Sequence, residues 1–170
     1  ISLPLAKKVN VICFEPMKYN FEKLTNNFKI NKYLKKYKLY KLGASNKNEL
    51  KYIKYSDQDP NIGTASIIRK YKKNNKKEKI KLKILDKIIK LKKKNLLIKI
   101  DVEGYEDKVL DGIKDLIKNN NVFVYIETKN TKLVKNLTIK YNVLYPKFWY
   151  SKYFFLKKKF GDDLIFKNYD

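Results

Sequence analysis

The stretch LLIKIDVEGYEDKVLDGIKDL, residues 96–116, puts Asp101, Glu103, Glu106, Asp107, Asp111 and Asp115 within fifteen consecutive positions. The whole 170-residue sequence holds only 17 acids against 41 Lys and Arg, a formal net charge of +24. It contains no histidine, so a carboxylate is the side chain left to take a proton from a hydroxyl nucleophile near neutral pH. Asp101, Glu103 and, further on, Glu127 are the candidates for that general base. Crowding carboxylates together raises their proton affinity, which suits a base. Asp101 and Glu103 also offer hard oxygen ligands of the kind Mg²⁺ or Ca²⁺ takes, but the sequence supplies no complete ligand set and no metal is expected. A second explanation covers part of the cluster. Glu106 falls in the first turn of a predicted helix, where negative charge meets the helix dipole, and Asp101 or Glu103 can serve as its cap. Asp107, Asp111 and Asp115 fall on a wet helix face and need no further role.

Three apolar runs share one form: VNVICFE ends at Glu15, LLIKID at Asp101 and NVFVYIE at Glu127. Short runs rich in Val, Ile and Phe, without strict alternation, predict strands covered on both faces, as in a parallel sheet. Helical periodicity follows each: YNFEKLTNNFKI after Pro16, a stripe of Val109, Leu110, Ile113, Leu116 and Ile117 after Gly104, and KLVKNLTIKY after Glu127. Strands alternating with helices predict a doubly wound α/β sheet. Parallel strands point their carboxyl ends at one rim, where open α/β folds bind ligands. Glu15, Asp101 and Glu127 are expected to converge there. An acid at the place of Glu15 commonly accepts hydrogen bonds from the ribose hydroxyls of an adenosine-containing cofactor. The glycine-rich turn that accompanies such a site is missing, since none of Gly43, Gly63, Gly104, Gly112 and Gly161 precedes Glu15. The first strand and its loop are therefore expected upstream of Ile1.

Between the first two runs, YKLYKLGAS and ELKYIKY predict strands, RKYKKNNKKEK a solvated surface loop, IKLKIL a strand with one wet face, and Asp86 the start of a short helix. In the turn-rich loop SDQDPNIGTAS, Asn61, Gly63, Thr64 and Ser66 are small polar residues able to donate hydrogen bonds to a sugar-like substrate or a cofactor. Lys99, two residues before Asp101, is expected to be a solvated lysine. The aromatic tail NVLYPKFWYSKYFFLKKKFGDDLIFKNYD predicts antiparallel strands at a sheet edge. Its Trp, Tyr and Lys also allow peripheral contact with an anionic membrane surface.

Length and a 44% hydrophobic content fit one domain spanning residues 1–170. The single cysteine, Cys13, has no disulfide partner and is expected to be a buried structural thiol. No window is apolar enough for a membrane span, and a cytoplasmic location is expected. The charge invites nucleic acid, yet all basic residues but Arg69 are lysines and they are spread along the chain, which fits a solvated basic surface better than a dedicated phosphate-binding face.

The order FEP (Glu15, Pro16), LGAS, NIGTAS, KILDKII, LIKIDVEGYEDKVLDGI, VYIE resembles the FkbM-type S-adenosylmethionine-dependent methyltransferases, over about Ala6 to Glu127. The resemblance implies a Rossmann-like class I methyltransferase sheet, mostly parallel with antiparallel strands at the carboxyl-terminal edge. It implies S-adenosylmethionine as cofactor, with Glu15 and Pro16 at its ribose, Ala44 and Ser45 beside adenine, and Asp101 facing the methyl group. It also implies O-methylation of a hydroxyl on a sugar, glycan or other small molecule. The alternative is a non-catalytic basic module that binds nucleic acid through its lysines and tyrosines.

Overall fold

The computed structural model describes residues 9–31, 36–56, 65–68, 75–128, 130–140, 142–144 and 153–158. The chain divides into two compact units, Ile1–Lys83 and Ile84–Asp170.

In the first unit, β1 (Val11–Phe14) and β2 (Tyr37–Tyr40) pair in parallel, joined through helix α1 (Lys18–Ile30). Pro16 has no N–H to continue a ladder and leads the chain out of β1 toward α1. Phe14 and Tyr40, partners in register, stack with ring centroids 5.1 Å apart. Strands β3 (Gly43–Ala44), β4 (Glu49–Ser56) and β5 (Asn75–Lys83) form a second sheet in the order β3-β5-β4, with β3 parallel and β4 antiparallel to β5. Ile53, Ile80 and Leu82 bury one face of that sheet. On the opposite face the pairs Leu50↔Lys81, Tyr52↔Lys79 and Lys54↔Lys77 set Leu50, Tyr52 and the three β5 lysines in solvent. The strand begins at Asn75, inside the run predicted as a loop. Lys77, Lys79 and Lys81 sit on the wet face, and Lys76, on the face of Ile80 and Leu82, is exposed near the start of the strand, so the charge run pairs with β4 without burying a cation.

In the second unit, β6 (Asn95–Ile100), β7 (Asn121–Glu127), β8 (Asn142–Leu144) and β9 (Tyr153–Lys158) form one sheet in the order β6-β7-β9-β8. β6 and β7 are parallel, while β9 runs antiparallel to both β7 and β8, so the tail adds antiparallel strands beside the parallel pair as predicted. The class is mixed α/β with parallel strand pairs. β6 departs from the expectation of two covered faces, because Asn95, Leu97 and Lys99 are exposed. Burying Asn95 and Lys99 would strip water from an amide and a cation, so their face stays wet and takes Leu97 with it.

The predicted helical stripe is buried as expected, yet it is split between two short helices, α2 (Glu106–Asp111) and α3 (Lys114–Asn119). Gly112 ends α2, its N–H reaching the carbonyls of Lys108 and Val109 at 3.1 and 2.9 Å. Asp86 then starts α3 from outside: its carboxylate accepts the Asp115 and Leu116 N–H groups at 2.8 and 2.9 Å. Around Asp86 itself there is only a 3₁₀ turn, Leu85–Lys87, in place of the predicted helix. Asn120, fully buried, takes the Lys94 N–H at 3.0 Å and gives its amide to Leu91 and Leu116 carbonyls, so both polar atoms of its side chain are paired. Helix α4 (Thr131–Lys140) follows β7, with the Asn130 side chain accepting the Leu133 N–H at 3.0 Å. Among the described residues no helix is long and apolar enough to cross a membrane.

Candidate functional site

Glu15 stands one residue past β1 and continues its ladder, its N–H donating to the Tyr40 carbonyl at 3.1 Å. Helix α1 starts three residues later with no acid in its first turn. Its unpaired N–H groups are met instead by Glu15, whose Oε1 accepts from Met17 at 2.8 Å, and by Glu78 of β5, whose Oε1 accepts from Lys18 at 2.8 Å. Burial is the main cause that pushes the Glu15 carboxyl above its ordinary range. The Met17 N–H and the Asn20 side chain oppose that shift, and the negative charge of Glu78 adds to it. The result is a half-buried carboxylate with high proton affinity and lone pairs beyond the one Met17 uses.

The loop after β2 lies against the same place. Gly43 is buried, and a Cβ there would sit 2.6 Å from Leu82 Cδ2, so glycine lets this backbone lie close to Leu82, with Pro16 Cβ at an ordinary contact distance of 3.5 Å. FEP and LGAS, separated in sequence, are thus neighbours in the first unit. Ala44 is half-buried, whereas Ser45 has no exposed surface. The Ser45 N–H donates to the Lys83 carbonyl at 2.9 Å, and its hydroxyl accepts the Lys47 N–H at 3.4 Å.

In the second unit the parallel register of β6 and β7 runs to Ile100↔Ile126. One residue further on each strand come Asp101 and Glu127, so the register brings these two carboxylates to neighbouring strand ends. Asp101 is exposed and paired with Lys99, Nζ to Oδ2 at 3.0 Å. The chain then turns through two residues in the left-handed region, Glu103 at φ 47° and Gly104 at φ 95°. Glu103 is exposed. Behind the turn Glu106 is only 2% exposed, with Oε1 accepting the Gly104 N–H at 2.7 Å and Oε2 without a partner among the described residues. No group of three or more Cys, Asp or Glu among the described residues is placed to hold a metal ion.

The family model of the methyltransferase FkbM domain matches residues 4–140. The chain belongs to the FkbM methyltransferase family. A search of curated proteins and one of solved structures return no match.

In this FkbM-family chain the candidate residues fall into four groups. Asp101, Glu103 and Glu127 lie at or just past the ends of β6 and β7, and Glu15 and Pro16 lie at the end of β1 beside Gly43. Ala44 has accessible surface, while the Ser45 hydroxyl is internal. Of the four residues nominated in the SDQDPNIGTAS loop, Asn61, Gly63 and Thr64 lie outside the described residues. Ser66 is 2% exposed, bridges Lys54 through backbone bonds of 3.1 and 3.0 Å, and turns its hydroxyl to the Ile68 N–H at 3.2 Å. Three acids have roles the sequence did not reveal. Glu78 is hidden in a charge run and meets a helix sixty residues away. Asp86 caps α3, whereas the sequence suggested only that it starts a short helix of its own. Glu106, expected in the first turn of a helix, is there, but it is also buried and its carboxylate folds back onto the Gly104 N–H.

Proposed function

We propose that this FkbM-family protein is an S-adenosylmethionine-dependent O-methyltransferase acting on a hydroxyl of a sugar, glycan or other small molecule, on a Rossmann-like sheet. The observation that carries it is the β6–β7 register, which leaves Asp101 and Glu127 at adjoining strand ends in a chain with no histidine. When bound, S-adenosylmethionine supplies a methyl group on a sulfonium, electrophilic enough for direct displacement. Glu15 suits the ribose, since its carboxylate keeps lone pairs for two hydroxyl donors after Met17 is served. The close approach of the Gly43 backbone to Pro16 leaves Ala44 as the small side chain to lie against adenine. Asp101, Glu103 or Glu127 takes the proton of the acceptor hydroxyl as the new bond forms. Orienting that oxygen about 3 to 3.5 Å from its target supplies much of the rate, so the rigidity of the strand ends bears directly on catalysis.

Calorimetric titration with S-adenosylmethionine tests this. Wild type is expected to bind, and Glu15→Gln to bind at least about tenfold more weakly, as loss of hydrogen bonds to a charged acceptor implies. Absence of binding by wild type would overturn it. The β4–β5 face, with Lys77, Lys79 and Lys81 around Tyr52, favours the nucleic-acid alternative. That reading requires single-stranded binding that weakens steeply with salt and is unchanged in Glu15→Gln.

A further inference from the structure

Among the described residues Glu106 is the one acid that is buried, and its Oε2 has no hydrogen-bond partner. An apolar side chain of similar length would fill the same space without burying an unpaired oxygen, so packing alone does not account for a carboxylate there. Its one bond, to the Gly104 N–H, is only part-buried and sits on an exposed residue, which leaves the second oxygen uncompensated. What the 2.7 Å bond does is geometric. The N–H it holds belongs to the peptide joining Glu103 to Gly104, so fixing that N–H fixes ψ of Glu103. Glu103 is a non-glycine residue in the left-handed region, with Gly104 following at φ 95°, a conformation that persists only when its surroundings enforce it. Asp101 lies two residues before the held peptide. We propose that Glu106 is the positioning residue of this strand end: its buried carboxylate locks the Glu103–Gly104 peptide plane and thereby sets where Glu103 and Asp101 stand toward a ligand. This rests on the methyl-transfer reading for the identity of that ligand, but the lock itself does not.

The test compares wild type, Glu106→Gln and Glu106→Met in the full chain, by the ¹H–¹⁵N signal of the Gly104 amide, by thermal melting, and by titration with S-adenosylhomocysteine. Wild type is expected to show a downfield, slowly exchanging Gly104 proton. Glu106→Gln keeps a carbonyl oxygen for that N–H, and both the signal and the affinity should be retained. Glu106→Met should lose the signal, melt no lower than wild type, and bind S-adenosylhomocysteine about tenfold or more weakly, the scale expected when a binding group is displaced. If Glu106→Met binds as wild type does, or if Glu106→Gln fails to restore the Gly104 signal, the positioning role is overturned. A Glu106→Met protein that melts well below wild type also overturns it, by making the carboxylate a stability element. If wild type does not bind S-adenosylhomocysteine, the methyl-transfer reading fails, and the Gly104 signals of the three proteins still decide whether the lock exists.

Discussion

Replacing Asp86 by Ala removes the acceptor for two backbone N–H groups at the start of α3, at 2.8 Å from Asp115 and 2.9 Å from Leu116. The two losses differ. Asp115 is exposed, so water replaces the carboxylate at its N–H, and the cost there is that of an ordinary lost cap, about 0.5 to 1 kcal/mol. Leu116 is 4% exposed, and its N–H loses its partner where water reaches poorly, which costs about 1 to 3 kcal/mol. The sum is about 1.5 to 4 kcal/mol, or a fall in Tm of roughly 3 to 16 °C for a chain of this size. Asp86→Asn keeps one oxygen in place and should cost about half as much, since the remaining bond is no longer charge-assisted. The Asp86 N–H, which donates to the Gly112 carbonyl at 3.0 Å, is untouched by either change and cannot confuse the comparison. Thermal melting by circular dichroism, with urea midpoints at unchanged slope, reads the effect. If Asp86→Ala melts within about 1 °C of wild type, α3 does not depend on this carboxylate and the account of why the helix restarts at Lys114 is wrong.

Gly43→Ala should destabilise by about 1 to 3 kcal/mol in urea unfolding, because its Cβ falls 2.6 Å from Leu82 Cδ2 and Leu82 is itself 1% exposed. Glu15 predicts a pH effect whose sign follows from its raised proton affinity in the folded state. Stability from that group is fully present below its ordinary value of 4.5 and is lost as pH rises through the higher folded value. Glu15→Gln abolishes this loss, so the Tm of the variant minus that of wild type should grow from about pH 4 to about pH 7, and a flat or shrinking difference contradicts it.

The strand ends were legible because two signals coincide in sequence, a short apolar run and an acid that closes it. Glu15, Asp101 and Glu127 all follow that pattern. Helix α1 was legible because Pro16 punctuates the chain and the periodicity after it is unbroken. The split between α2 and α3 was not. Val109, Leu110, Ile113, Leu116 and Ile117 keep helical spacing straight through Gly112, and all five are buried, so the pattern reports the face and not the break. The break depends on Asp86, about thirty residues away, and a cap supplied at that distance leaves no local trace. β5 was missed in part for a related reason. Asn75, Lys76 and Lys77 look solvated by composition, and only their register with Ser56, Tyr55 and Lys54 makes them a strand.

The acids of this lysine-rich chain separate by what holds them. Asp111 faces Lys114 at 2.9 Å and Asp101 faces Lys99 at 3.0 Å, both between exposed side chains. Pairs of this kind contribute about 0.2 to 1 kcal/mol and are weakened by salt. Glu15, Glu78, Asp86 and Glu106 hold backbone N–H groups instead, each where the chain leaves a strand or starts a helix. A backbone partner is fixed by the fold, so these four cannot trade it for a ligand without distorting the chain. Asp101 can, since displacing Lys99 costs no more than an exposed ion pair is worth. Within the second unit, then, Glu106 is built to hold still and Asp101 to exchange its partner. On the methyl-transfer proposal, Glu106 is the frame of this strand end and Asp101 the carboxylate free to change partners.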